Sequence, residues 1–183
     1  MRIFVTGGTG FLGRAIVGRL LRDGHRVTSL LLPGDDSETD RRCDVVRGDI
    51  TRADTLQGLL DGHNGVLHLA GAVGYGQTWR TCIRLNREGS RNVALEAARA
   101  GARRFVHMSS VSVYGRVPLL PVDEESPLKK IGDPYGDTKI DAENVIRETA
   151  ARWELGLTVI RPTVIYGPGD LLFLPKLLEN LEK

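Results

Sequence analysis

Val5-Thr6-Gly7-Gly8-Thr9-Gly10-Phe11-Leu12-Gly13 joins a short apolar run, Ile3 to Val5, to a segment in which Phe11, Leu12, Ala15, Ile16 and Leu20 recur at helical spacing. The glycines therefore fall where a first strand becomes a first helix. A turn this tight needs backbone torsions that side chains resist, and the missing Cβ atoms leave room for a pyrophosphate to approach the backbone. The free amides and positive dipole of the following helix face such an anion. The string fits both Gly8-x-Gly10-x-x-Gly13 and Gly7-x-x-Gly10-x-x-Gly13. A flexible turn would need no helix or strand around it, so this context predicts a dinucleotide site.

Outward from that turn the chain alternates short apolar runs with amphipathic segments. Arg26 to Leu32 reads as a second strand that ends in Leu31-Leu32-Pro33-Gly34-Asp35-Asp36. An acid at this strand end would bond the ribose hydroxyls of NAD, and a base would pair the 2′-phosphate of NADP. Leucines stand there instead, with Asp35, Asp36, Arg41 and Arg42 farther along, so the choice between NAD and NADP stays open. Val45 and Val46 mark a third strand running into Gly48-Asp49-Ile50, where Asp49 is placed either to meet an adenine amine or to cap the next helix. That helix is expected to bury Leu56, Leu59 and Leu60. Gly65 to Ala70 reads as a fourth strand holding His68 as a packed residue, with Gly71 relieving crowding at its end.

Thr78 to Ala100 has a helical pattern that Asn86 and Gly89 interrupt, which predicts a bend or a site that wants a side-chain amide. Arg104 to Met108, a fifth strand, delivers Ser109 and Ser110 to the carboxyl edge of the sheet, the edge where ligands bind in doubly wound folds. The proline-bearing stretch from Val117 to Asp133 suits a lid or substrate-facing loop. Asp133-Pro134 then opens a helix, with an acidic cap and proline at the first position. On it Tyr135 and Lys139 stand four apart and share a face. A nearby ammonium favours a phenolate, which would let Tyr135 exchange a proton with a carbinol or carbonyl; a surface Tyr and Lys on an amphipathic helix is the plain alternative.

Composition bounds the partners. Hydrophobic residues make up 41% and charged residues 26% of the 183, with 25 basic and 23 acidic side chains giving a net charge of +2. No polybasic tail or basic membrane patch appears, and a small-molecule partner is expected, with no nucleic acid and no membrane. Cys43 and Cys82 lack metal-ligand spacing and are too few for a disulfide framework, so no metal and a reduced, cytoplasmic setting are expected. No apolar run reaches membrane-spanning length, and no signal-peptide core precedes the first strand.

Taken together, these motifs resemble the extended short-chain dehydrogenase/reductases, a family that includes nucleotide-sugar epimerases and dehydratases, dihydroflavonol-reductase-like enzymes and 3β-hydroxysteroid-dehydrogenase-like enzymes. TGGTGFLG at Thr6 to Gly13 looks like the family's cofactor turn, GDI at Gly48 to Ile50 its adenine-side acid, and HLAG at His68 to Gly71 its fourth-strand motif. SSVSVYG at Ser109 to Gly115 is similar to its serine motif, YGDTK at Tyr135 to Lys139 to its YxxxK, and RPTVIYGPGD at Arg161 to Asp170 to the strand and loop leading into a substrate lobe. The resemblance implies a Rossmann-type α/β fold, a doubly wound and mainly parallel sheet of about six strands flanked by helices.

The resemblance also implies roles. Ser110, rather than Ser109 or Ser112, would polarise the reacting oxygen, Tyr135 would transfer its proton, and Lys139 would lower the tyrosine pKa and bond the nicotinamide ribose. Asn86 matches the family's structural and proton-relay asparagine. Cofactor contacts are implied for Gly7, Gly10, Phe11, Leu12, Gly13, Asp49, Ile50, Leu69, Ala70, Gly71, Tyr135, Lys139 and Pro162. Thr138 stands where many relatives have serine. Residues 1–170 are expected to form the dinucleotide-binding domain and 171–183 the start of a shortened substrate lobe. The implied activity is that of an NAD(P)-dependent epimerase or dehydratase, with an NADPH-dependent carbonyl reductase as the near alternative and a non-catalytic dinucleotide sensor as the alternative of another class. A homodimer through the helices that carry Asn86 and Tyr135 is implied, and Tyr75 and Trp79 are candidates for the pocket mouth.

Overall fold

The computed structural model describes residues 1–73, 76–116, 121–171 and 173–181. Six strands form one sheet: β1 (Arg2–Thr6), β2 (Arg26–Leu31), β3 (Asp44–Arg47), β4 (Gly65–His68), β5 (Arg104–Met108) and β6 (Gly156–Ile160). Their order is β3-β2-β1-β4-β5-β6 and every neighbouring pair is parallel. Parallel strands bury both faces, which is why they read as continuous apolar runs such as Phe4-Val5 and Leu30-Leu31. The order reverses between β1 and β4, and a crevice opens there at the carboxyl ends of the strands.

The helices that cover the sheet are α1 (Phe11–Arg22), a continuous stretch made of α2 (Trp79–Cys82), a π-helical segment (Ile83–Gly89) and α3 (Ser90–Arg99), then α4 (Pro134–Trp153) and α5 (Phe173–Leu181). The larger core lies between the sheet and α3 and α4, where Phe4, Leu56, Leu60, Val66, Val93, Phe105 and Ile146 meet. A smaller one holds Val5, Val17, Val27 and Cys43 beneath α1.

Two expected elements differ. The segment that buries Leu56 and Leu60 is a 3₁₀ turn, Ala53–Leu56, followed by further turns rather than a helix. Gly58 takes φ +78°, a left-handed conformation that stops an α-helix after one turn. The sixth strand ends at Ile160, so the stretch from Arg161 to Asp170 is loop, with only its first residues beside the sheet.

The interruption at Asn86 and Gly89 is the π-helical segment. Its widened turns put Asn86 wholly inside the protein, and a Cβ on Gly89 would stand 2.8 Å from Ile50 Cδ1. Helix α4 begins as its sequence predicts: the Asp133 carboxylate accepts from the Gly136 amide at 2.6 Å and Pro134 occupies the first turn.

Candidate functional site

The loops after β1, β4, β5 and β6 and the first turn of α4 enclose a cavity of about 790 Å³. The glycine turn forms one wall. Gly7 sits at φ +72°, and a Cβ on Gly13 would fall 2.0 Å from the Gly7 carbonyl oxygen, so only glycines let the loop fold so tightly against the start of α1. Gly7 also packs against the turn after β4, where a Cβ would stand 2.7 Å from the Ala70 nitrogen. This cradle, opening on the N-terminus of α1, fits a dinucleotide pyrophosphate.

Among the residues singled out in the sequence, Gly7, Gly10, Phe11, Leu12, Gly13, Leu69, Ala70, Gly71, Ser110, Tyr135, Lys139 and Pro162 all line this one cavity. Ser110 lies beyond β5 in extended backbone, where its hydroxyl accepts from the Ser112 amide and donates to Ser112 Oγ, both at 3.1 Å. Tyr135 faces it from α4. Burial pushes the Tyr135 phenol above its ordinary pKa, and the nearby Ser110 hydroxyl pulls the other way.

Lys139 is fully enclosed. Its Nζ donates to the Met108 carbonyl at 2.9 Å and lies 5.9 Å from the centre of the Tyr135 ring. Burial pushes the ammonium down to about 8, opposed by the negative charge of Glu143. Burial is the largest influence on the phenol, and Ser110 is the group that pulls it down.

Asn86, Asp49 and Ile50 stand off the cavity wall. Asn86 accepts from the Ala72 amide at 2.8 Å and donates to Thr138 Oγ1 at 3.0 Å, tying the loop after β4 to the turn of α4 that carries Lys139. A Cβ on Gly71 would stand 2.9 Å from Asn86 Oδ1 and 3.3 Å from Lys139 Nζ, so Asn86 and the lysine account for the crowding there. Asp49 accepts from the Thr51 amide and hydroxyl at 2.8 and 2.9 Å, both through Oδ1, while the 3₁₀ turn that follows starts from Arg52 without a side-chain cap. Ile50 is buried and its carbonyl accepts from Asn92.

His68 is the packed residue expected: it is fully buried between Thr6 Oγ1 at 2.7 Å and Ser90 Oγ at 2.9 Å, and burial pushes it down to about 3. At the end of β2, Leu31 is buried and Leu32 exposed, while the Arg47 guanidinium donates to the carbonyls of Leu32 and Asp35. Arg42 is paired with Asp40 at 2.7 Å.

Of the expected lid from Val117 to Asp133, residues 117–120 lie outside the described residues, and of 121–133 Asp133 lines the cavity. Trp79 is exposed and off the wall, and Tyr75 lies outside the described residues. The sequence reading passed over Met108, Ser112, Thr163, Val164, Ile165 and Phe173 as lining groups. Met108 and Thr163 to Ile165 follow the carboxyl ends of β5 and β6, and the rule that ligands gather at that edge was the available signal. Among the described residues no group of His, Cys, Asp or Glu could hold a metal ion, and no helix is long and apolar enough to cross a membrane.

Known proteins share this arrangement. A 3 beta-hydroxysteroid dehydrogenase/Delta 5→4-isomerase of Mycobacterium tuberculosis is 33% identical over 196 residues, which cover 100% of this chain and 52% of that protein. A UDP-glucose 4-epimerase of Mycolicibacterium smegmatis is 34% identical over 181 residues, covering 92% of this chain and 57% of the epimerase. A dTDP-glucose 4,6-dehydratase from Streptomyces venezuelae, solved with NAD and TYD bound, has a TM-score of 0.86 at 27% identity and covers 100% of this chain and 62% of its own. The chain thus spans about half the length of the curated relatives it matches. The sequence profile of one family matches residues 3–183, and with a six-stranded parallel sheet, a glycine cradle and a serine, tyrosine and lysine in one cavity, this chain belongs to the NAD dependent epimerase/dehydratase family.

Proposed function

We propose that this chain is the cofactor-binding and catalytic part of an NAD-dependent enzyme that acts at a secondary alcohol or ketone, with a nucleotide sugar as substrate. The observation that carries this reading is that Ser110, Tyr135 and Lys139 share one cavity with the glycine cradle. In this reading Tyr135 gives a proton to, or takes it from, the reacting oxygen, and Ser110 holds that oxygen through its hydroxyl. Lys139 places a positive charge beneath both and bonds the ribose, while Asn86 holds the turn that carries it. When bound, the nicotinamide supplies or accepts the hydride. The NAD of the solved dehydratase supports NAD over NADP.

The second reading, a carbonyl reductase or hydroxysteroid-dehydrogenase-like enzyme, is favoured by the absence of an acid at the end of β2, where Leu32 stands exposed.

In the same proposal α5 opens a second lobe, supported by the fact that none of its residues is buried. A homodimer is supported by Leu95 on α3 and Trp153 on α4, which stay exposed in the single chain. The free thiols of Cys43 and Cys82 support a reduced, cytoplasmic setting. Calorimetric titration with NAD⁺, NADH, NADP⁺ and NADPH tests the reading. Tighter binding of the NAD pair is expected; tighter binding of the NADP pair would move the assignment to the reductase, and no heat from any of the four would overturn it.

A further inference from the structure

Glu143 stands one helical turn beyond Lys139 on α4 and has no exposed surface. An ionised carboxylate in such a place is costly unless donors satisfy its oxygens. Ser109 Oγ donates to Oε1 at 2.6 Å and Arg161 Nε to the same oxygen at 2.9 Å. Arg161 Nη2 donates to Oε2 at 2.7 Å, and Arg147 reaches that oxygen at 3.4 Å. Burial pushes the acid up, but the bonds from Arg161 and Ser109 more than offset it and hold its pKa below the usual carboxylate value.

The network continues outward. Arg161 Nη1 donates to the Tyr114 hydroxyl at 2.8 Å and to the Glu124 carbonyl at 3.2 Å, and Tyr114 in turn donates to the Asp123 carbonyl at 2.8 Å. One carboxylate on α4 thus gathers the residue after β5, the residue after β6 and the turn Val111–Tyr114. Ser109 is joined by a peptide bond to Ser110, whose own hydroxyl accepts from the Ser112 amide and donates to Ser112 Oγ, both within the same turn. On α4, Lys139 holds the Met108 carbonyl and Glu143 holds Ser109, so two bonds from this helix fix the strand end from which Ser110 faces the phenol.

We propose that Glu143, with Arg161 as its counter-ion, is a positioning residue that fixes Ser110 against the Tyr135 phenol by holding Ser109. This rests on the reading of Ser110 and Tyr135 as the groups that handle the reacting oxygen. It assigns a purpose to a buried ion pair that touches neither cofactor cradle nor cavity. Small displacements of such groups cost rate out of proportion to their size, which is why a rigid anchor one residue away matters.

The test reads the phenol directly. The chain has four tyrosines, so tyrosine labelled with carbon-13 at the hydroxyl-bearing carbon gives at most four signals, and Tyr135→Phe identifies the one from Tyr135. Ser109→Ala cuts the anchor and alters no charge: Ser110, Asp133, Cys82 and Lys139, the groups facing Tyr135, all remain. The Tyr135 signal is expected to titrate at a higher pH in Ser109→Ala than in the unsubstituted chain, because Ser110 no longer stands fixed beside the phenol. A double replacement, Glu143→Leu with Arg161→Met, removes the anchor from the other side without leaving a lone buried charge, and the same upward move is expected. An unchanged Tyr135 curve in Ser109→Ala with dinucleotide binding intact overturns the positioning role. Failure of the unsubstituted chain to bind any dinucleotide would instead overturn the enzyme reading beneath it.

Discussion

Lys139 Nζ lies 5.9 Å from the centre of the Tyr135 ring but spends its hydrogen bond on the Met108 carbonyl, 2.9 Å away. The ammonium is therefore closed in by the end of β5 on one side and the aromatic ring on the other. Among the described residues no carboxylate is paired with it directly, and burial is what brings it down to about 8.

This has a consequence for stability. An unfolded lysine titrates at 10.5 and the folded one at about 8, a cost of about 3 kcal/mol when the group is protonated in both states. Below pH 8 the cost is full; between 8 and 10.5 the folded chain sheds a proton that the unfolded chain keeps, so the contribution of this group rises with pH. Lys139→Met is expected to melt higher than the unsubstituted chain at pH 7, with the advantage fading as pH approaches 10.5. Thermal melts of both chains across that range check it, and a lower melt at pH 7 would count against it.

Tyr135→Phe keeps the ring and removes the proton. It is expected to lower turnover by roughly 10²- to 10⁴-fold while dinucleotide affinity changes little. A dinucleotide sensor would be indifferent to the substitution, so steady-state rates and a binding titration on the same variant separate the two readings.

Two glycines of α1 should respond in opposite directions. Gly13→Ala puts a Cβ 2.0 Å from the Gly7 carbonyl oxygen and is expected to destabilise the chain by roughly 1 to 3 kcal/mol and to weaken dinucleotide binding. Gly18→Ala meets nothing nearer than the end of the Arg22 side chain at 3.5 Å, and is expected to stabilise by about 0.5 to 1 kcal/mol. Chemical denaturation of the two single variants provides the comparison.

Asn86→Leu removes the acceptor of the buried Ala72 amide while Thr138 keeps its bond to the Pro134 carbonyl at 2.6 Å. One orphaned amide is expected to cost about 2 kcal/mol. Denaturant midpoints measure it, and a loss below a few tenths would show that the loop after β4 finds another partner.

The α/β architecture and the cradle were legible because their signals are local: strands buried on both faces read as apolar runs, and a tight turn into a helix demands glycine at fixed offsets. Tyr135 and Lys139 were legible for the same reason, since four residues of helix place them on one face. Gly58 was harder to read, because a single left-handed residue turned three well-spaced leucines, Leu56, Leu59 and Leu60, into a 3₁₀ turn and its sequel.

Groups whose meaning depends on distant partners were not legible. The sequence did not show that Thr51, two residues on, bonds one oxygen of Asp49. Glu143 lies 18 residues from Arg161 and 34 from Ser109 along the chain, and nothing local in the sequence joins it to either. The sequence alone determined the order of strands and helices, the glycine turn and the spacing of Tyr135 from Lys139, because backbone torsion and periodicity act over a few residues. Only the tertiary structure decided the protonation balance of the site and the carboxylate that anchors it, because burial and hydrogen-bond partners exist only once β5, β6 and α4 have packed together.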